Sequence, residues 1–77
     1  MERVRKLLTK VIPGIPFSEG CDFVRDGHLD SLEVIRLTTE LESEFQIQID
    51  GSQILPENFK DLNALANLVR TAGGKIQ

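Results

Sequence analysis

A chain of 77 residues, 40% hydrophobic and 27% charged, suffices for one small domain and is too apolar for disorder. Chains of this size bury only about 60% of their unfolded surface, which argues against a deep catalytic cleft. The net charge of −3 combines a basic N-terminal segment, an acidic centre holding eleven acids against three bases between residues 19 and 61, and a basic tail, so nucleic acid is excluded as a partner.

In chain order, Val4, Leu7, Leu8, Val11 and Ile12 recur at i, i+3, i+4, i+7 and i+8, the apolar stripe of an amphipathic helix ended by Pro13-Gly14. Charges interrupt this segment, so it reads neither as a secretory signal nor as a membrane span, and no apolar run elsewhere approaches the roughly 20 residues that a span requires. The stretch "PGIPFSEGCDFVRDGHL" follows, a long loop with two prolines and three glycines, pinned by Ile15, Phe17, Phe23, Val24 and Leu29. Cys21 is the only cysteine, which precludes an intramolecular disulfide and points to a soluble protein of a reducing cytoplasm; a monomer is expected. Asp22 beside it opposes thiolate formation, so Cys21 reads as packed and inert.

A second helix is expected from Ser31 to Phe45, a short helical turn around Ser52–Leu55, and a last helix from Leu62 to Ala72, capped by Asp61 and stopped by Gly73-Gly74. "FQIQID" alternates like a strand but has no partner strand. The expected fold is all-α: a small four-helix bundle of three main helices plus one short one, forming a single domain with a long loop between helices 1 and 2.

At about 100° per residue, Val34, Leu37, Thr38, Leu41 and Phe45 share the buried face of the second helix. Leu32, Ile35 and Thr39 fall outside it, Glu33, Glu40 and Glu44 occupy the opposite flank, and Glu42 borders the patch. This is an apolar patch bordered by acids, which would attract basic surfaces on other proteins. The alternative is that the long loop folds over Leu32 and Ile35.

Ser31 stands where helix N-caps often stand. Glu33 lies three residues after Asp30, so a capping box forms with Asp30 as the cap and leaves the Ser31 hydroxyl free at the first helical position. A phosphate ester there would sit at the positive end of the helix dipole. His28 is the only histidine and lies too close in sequence to suggest a built triad, and "GHLDSLEV" is not a nucleophile elbow. Ser18, Ser43 and Ser52 have no comparable setting.

With these residues in view, "DGHLDSLEVIRLTTELESEF" resembles the signature of the acyl carrier protein family, and the helix order extends the resemblance over nearly the whole chain. The resemblance implies a non-enzymatic carrier that bears 4'-phosphopantetheine on Ser31, transferred from coenzyme A by a phosphopantetheinyl transferase that recognises the flanking Asp30. It implies acyl groups held as thioesters and partner enzymes with basic patches that read Leu32, Glu33, Ile35, Arg36, Thr39 and Glu40. Val34, Leu37 and Leu41 would line the interior where many members shelter an acyl chain.

Arg36 departs from the acid usual in housekeeping fatty-acid carriers, and Thr38 and Thr39 replace larger apolar residues. The "G-x-LDS" form is similar to that of D-alanyl carriers and of stand-alone carriers in specialised pathways. The expectation is a specialised discrete carrier of a fatty-acid, lipid or polyketide-like pathway. Two alternatives stand beside it: an aminoacyl (D-alanyl) carrier loaded by an adenylating ligase, and a helical interaction module that is never modified. A small enzyme is disfavoured because no acid, base and nucleophile set is visible.

Overall fold

A computed structural model describes residues 2–17 and 20–75; Ser18 and Glu19 lie outside the described residues. Three α-helices, α1 (Glu2–Val11), α2 (Ser31–Phe45) and α3 (Leu62–Thr71), pack around one core, and no strand occurs among the described residues. Helix α1 contacts both others. It buries Val4, Leu7, Leu8 and Val11, four of the five stripe positions. Ile12 sits just past the helix end and is half-buried, because the residue before a proline is pushed out of the helical region.

The second half of the long loop is more organised than its glycines imply. Asp22 Oδ1 accepts the amides of Val24 and Arg25 at 3.0 and 2.8 Å, and Asp26 Oδ2 accepts the Asp22 amide at 3.1 Å. The Phe23 carbonyl accepts from His28 and Leu29, while the Phe23 amide donates to the Lys60 carbonyl at 2.7 Å. Gly27 supplies the left-handed residue (φ 83°) that this double turn needs. Ile15, Phe23 and Leu29 are buried, and Phe17 and Val24 pack partly against them, as the sequence indicates.

The short element between α2 and α3 is two 3₁₀ turns, Gly51–Gln53 and Pro56–Asn58, instead of one turn around Ser52–Leu55. Asp50 caps the first by accepting from the Ser52 amide. Pro56 holds Leu55 extended (φ −121°, ψ 146°) and opens the second turn, where its missing N–H costs nothing. "FQIQID" is no strand: Phe45 ends α2, Gln46 turns the chain in a left-handed conformation (φ 55°), and residues 47–50 follow unpaired, with Phe45 and Ile49 buried and Ile47 half-buried.

Candidate functional site

Helix α2 begins at Ser31, with Asp30 as its cap: the Asp30 Oδ1 accepts the Glu33 amide at 2.9 Å. The reciprocal half of the capping box does not form among the described residues. Asp30 is exposed, and an exposed amide needs no protein acceptor. Ser31 is exposed at the first helical position, and its hydroxyl makes no hydrogen bond among the described residues. The serine is therefore spared from structural duty. Nor do the amides of Ser31 and Leu32 have an intramolecular acceptor there, which leaves the positive end of the helix open beside the hydroxyl.

The buried face of α2 carries Leu37, Thr38, Leu41 and Phe45, with Val34 half-buried. The Thr38 hydroxyl is satisfied inside by donating to the Val34 carbonyl at 2.8 Å. On the other side, Leu32 is 77% and Ile35 58% exposed. The loop does not fold over them. Arg36 and Thr39 are exposed as well, and Glu33 and Glu40 are half-buried.

Two acids expected to add to this face are engaged elsewhere. Glu42 Oε2 accepts the Ile49 amide at 2.8 Å, and Glu44 pairs with Arg3 at 3.2 Å.

The hydrolase reading gains nothing from the geometry. His28 is half-buried, and no hydrogen bond links it to Ser31 among the described residues. The Cys21 thiol is half-buried, and its pKa is raised above the ordinary thiol value by burial first, then by the neighbouring Asp26 carboxylate and the Asp22 charge, with Arg25 opposing. No group of three or more His, Cys, Asp or Glu among the described residues is placed to hold a metal ion.

Sequence reasoning missed two features. Leu55 is 41% exposed, a third large apolar side chain at the surface. An open cleft of about 450 Å³ lies where the loop meets the start of α3, lined by Phe17, Cys21, Asp22, Arg25, Lys60 and Asp61 among others. Its walls come from segments distant in the chain, so no local pattern announces it.

A family model described as a phosphopantetheine attachment site matches residues 2–69. The chain belongs to this family. The match runs from the start of α1 to within two residues of the end of α3. No curated protein and no solved structure gives a match. Such carrier domains are non-catalytic and serve for the covalent attachment of 4'-phosphopantetheine, so this protein is a carrier and not an enzyme. Its partners therefore include a phosphopantetheinyl transferase and acyl-handling enzymes. No helix of the described residues is long and apolar enough to cross a membrane.

The α2 start fits the cofactor's chemistry. Attachment needs an unencumbered hydroxyl and room for a long substituent, and the exposed, unbonded Ser31 offers both. The open helix end favours the phosphodiester charge.

Proposed function

We propose that Ser31 is the attachment residue and that the chain shuttles thioester-bound acyl groups between enzymes of a fatty-acid, lipid or specialised pathway. One observation carries the reading: Asp30 caps α2, so an exposed serine inside the matched segment keeps a hydroxyl with no structural role. The arm, when attached, supplies a terminal thiol that holds the cargo. The protein's own contribution is to present that arm from a rigid helix end and to offer a docking face.

Asp30 has two tasks in this reading. Its Oδ1 holds the Glu33 amide and fixes the helix start, and the exposed carboxylate is available for recognition by the transferase. Leu32, Glu33, Ile35, Arg36, Thr39 and Glu40 form the face that partner enzymes meet. Support comes from Leu32 and Ile35, whose apolar side chains are exposed although a packed core lies beneath the same helix. The unpaired cation Arg36 in that face favours a specialised discrete carrier over a housekeeping one.

Intact mass after incubation with a broad-specificity phosphopantetheinyl transferase and coenzyme A tests the proposal. The wild type should gain one phosphopantetheine and Ser31→Ala none. A gain in Ser31→Ala would move the attachment to another residue. No gain in a folded wild type with active transferase would leave an interaction module without an arm.

A further inference from the structure

The five arginines of the chain are not equivalent. Arg3 pairs with Glu44 at 3.2 Å and lies over the Phe45 ring, 4.5 Å from its centroid. Arg5 lies over Phe17 at 4.7 Å and meets Glu2 at 3.6 Å. Arg25 meets Asp26 at 3.7 Å, and Arg70 donates to Asn67 at 3.2 Å. Arg36 has no side-chain partner among the described residues, although Glu33 and Glu40 stand one turn either side of it on the same exposed helix.

Its placement is central. Leu32, Arg36 and Glu40 follow at i, i+4 and i+8, each about 40° further round the helix and about 6 Å further along it. The guanidinium thus stands between the exposed apolar pair and the acids, not at the rim. The order Arg-then-Glu at i, i+4 is the less favourable one for a pair with Glu40, and no ion pair to Glu33 forms among the described residues although its order is favourable, so the fork of donors is available to a visitor.

We infer that Arg36 selects the partner: the docking protein presents an apolar socket for Leu32 and Ile35, cations opposite Glu33 and Glu40, and a carboxylate opposite Arg36. This rests on the reading of α2 as the docking face of a carrier armed at Ser31. A uniformly basic patch, the complement of an all-acidic helix, would bring its own cation against the guanidinium. Like charges in contact disfavour that complex, whereas a carboxylate there forms a two-pronged, charge-assisted pair. The arginine therefore both admits one class of partner and rejects the other.

The probe is a fatty-acid synthase enzyme whose carrier-docking patch is basic, together with variants in which each basic patch residue is changed singly to Glu. Wild type, Arg36→Glu, Arg36→Gln and Arg36→Lys are first checked for fold by circular dichroism and for arm attachment by intact mass, then titrated against each probe at low and high salt. Arg36→Glu should bind the unmodified probe about ten-fold tighter than wild type, with Gln intermediate and Lys unchanged. One Glu variant of the probe should reverse that preference, and the difference should narrow with salt. Equal binding of wild type and Arg36→Glu, a preference that no probe variant reverses, or no binding in any combination would overturn the inference. Failure of the wild type to gain the arm would instead sink the Ser31 reading, so the two failures are distinct.

Discussion

The Asp30 carboxylate, not the Ser31 hydroxyl, accepts the amide of Glu33, the third residue of α2, at 2.9 Å. With Ser31 as the proposed attachment residue, stability and attachment chemistry would fall on adjacent but different side chains. Asp30→Ala should lower stability by about 1 kcal/mol, the usual cost of losing a cap, while Asp30→Asn retains most of it. Ser31→Ala, at an exposed and unbonded position, should stay within about 0.5 kcal/mol of wild type. Urea melts decide this: a Ser31→Ala loss as large as that of Asp30→Ala would mean the hydroxyl has structural work after all.

Glu42 shows how an acid of α2 is drawn into the fold. Its Oε2 accepts the Ile49 amide at 2.8 Å and ties the extended segment after α2, with its buried Ile49, back to the helix. Hydrogen bonds to a charged acceptor are worth about 1.5–3 kcal/mol where solvent is excluded. With Glu42 half-buried, Glu42→Ala should cost about 1–2 kcal/mol and Glu42→Gln less. Partner binding should be nearly unchanged in both once the protein is folded. A stability change near zero, with weakened partner binding, would return Glu42 to the docking face.

Gly74 is needed for closeness more than for turning. A Cβ there would strike Val69 Cγ1 and approach the Val69 carbonyl at 3.1 Å and Ile47 Cγ2 at 3.2 Å. The left-handed residue is its neighbour Gly73, at φ 94°. Gly74→Ala should therefore destabilise by about 1–3 kcal/mol through overpacking, visible as a lower Tm. If Tm is unchanged, the last turn relaxes outward at little cost.

The stripe Leu37, Thr38, Leu41 and Phe45, the Asp30 and Asp61 caps and the position of Leu32 and Ile35 off that stripe were legible in the sequence, because each follows from spacing within a few residues, whereas the exposure of the last two also depended on where the long loop runs. The split at Pro56 had its signal in the sequence too, but Ser52–Leu55 read as one turn. What stayed hidden depends on contacts between distant segments. The Phe23 amide meeting the Lys60 carbonyl, Arg3 meeting Glu44, and the cleft between the loop and α3 all require the chain to have closed on itself. The family resemblance rested on the Asp30-Ser31-Leu32 context and the helix order, and the match over residues 2–69 bears it out. The availability of Arg36 could not be read in advance, since Glu33 and Glu40 at helical spacing would ordinarily be taken as its partners.

Cys21 and Asp26 form a pair whose pH behaviour runs in opposite directions. Burial chiefly, and then the neighbouring Asp26 carboxylate, raise the Cys21 pKa. The Asp22 amide chiefly, helped by Cys21, Arg25 and His28, lowers that of Asp26. The depressed carboxyl contributes stability that is present above the ordinary aspartate range and lost as pH falls through its lowered value. The raised thiol contributes stability that is complete below the ordinary cysteine range and lost as pH rises through its elevated value. Cys21 should therefore alkylate with iodoacetamide more slowly than a free thiol at pH 8, and Asp26→Asn should speed it while flattening the acid limb of the stability curve. The order of causes sets a bound on the first effect: because burial leads, the Asn variant should remain slower than the free thiol. An Asp26→Asn protein that alkylates at the wild-type rate would show that burial acts alone and that the carboxylate does not reach the sulfur.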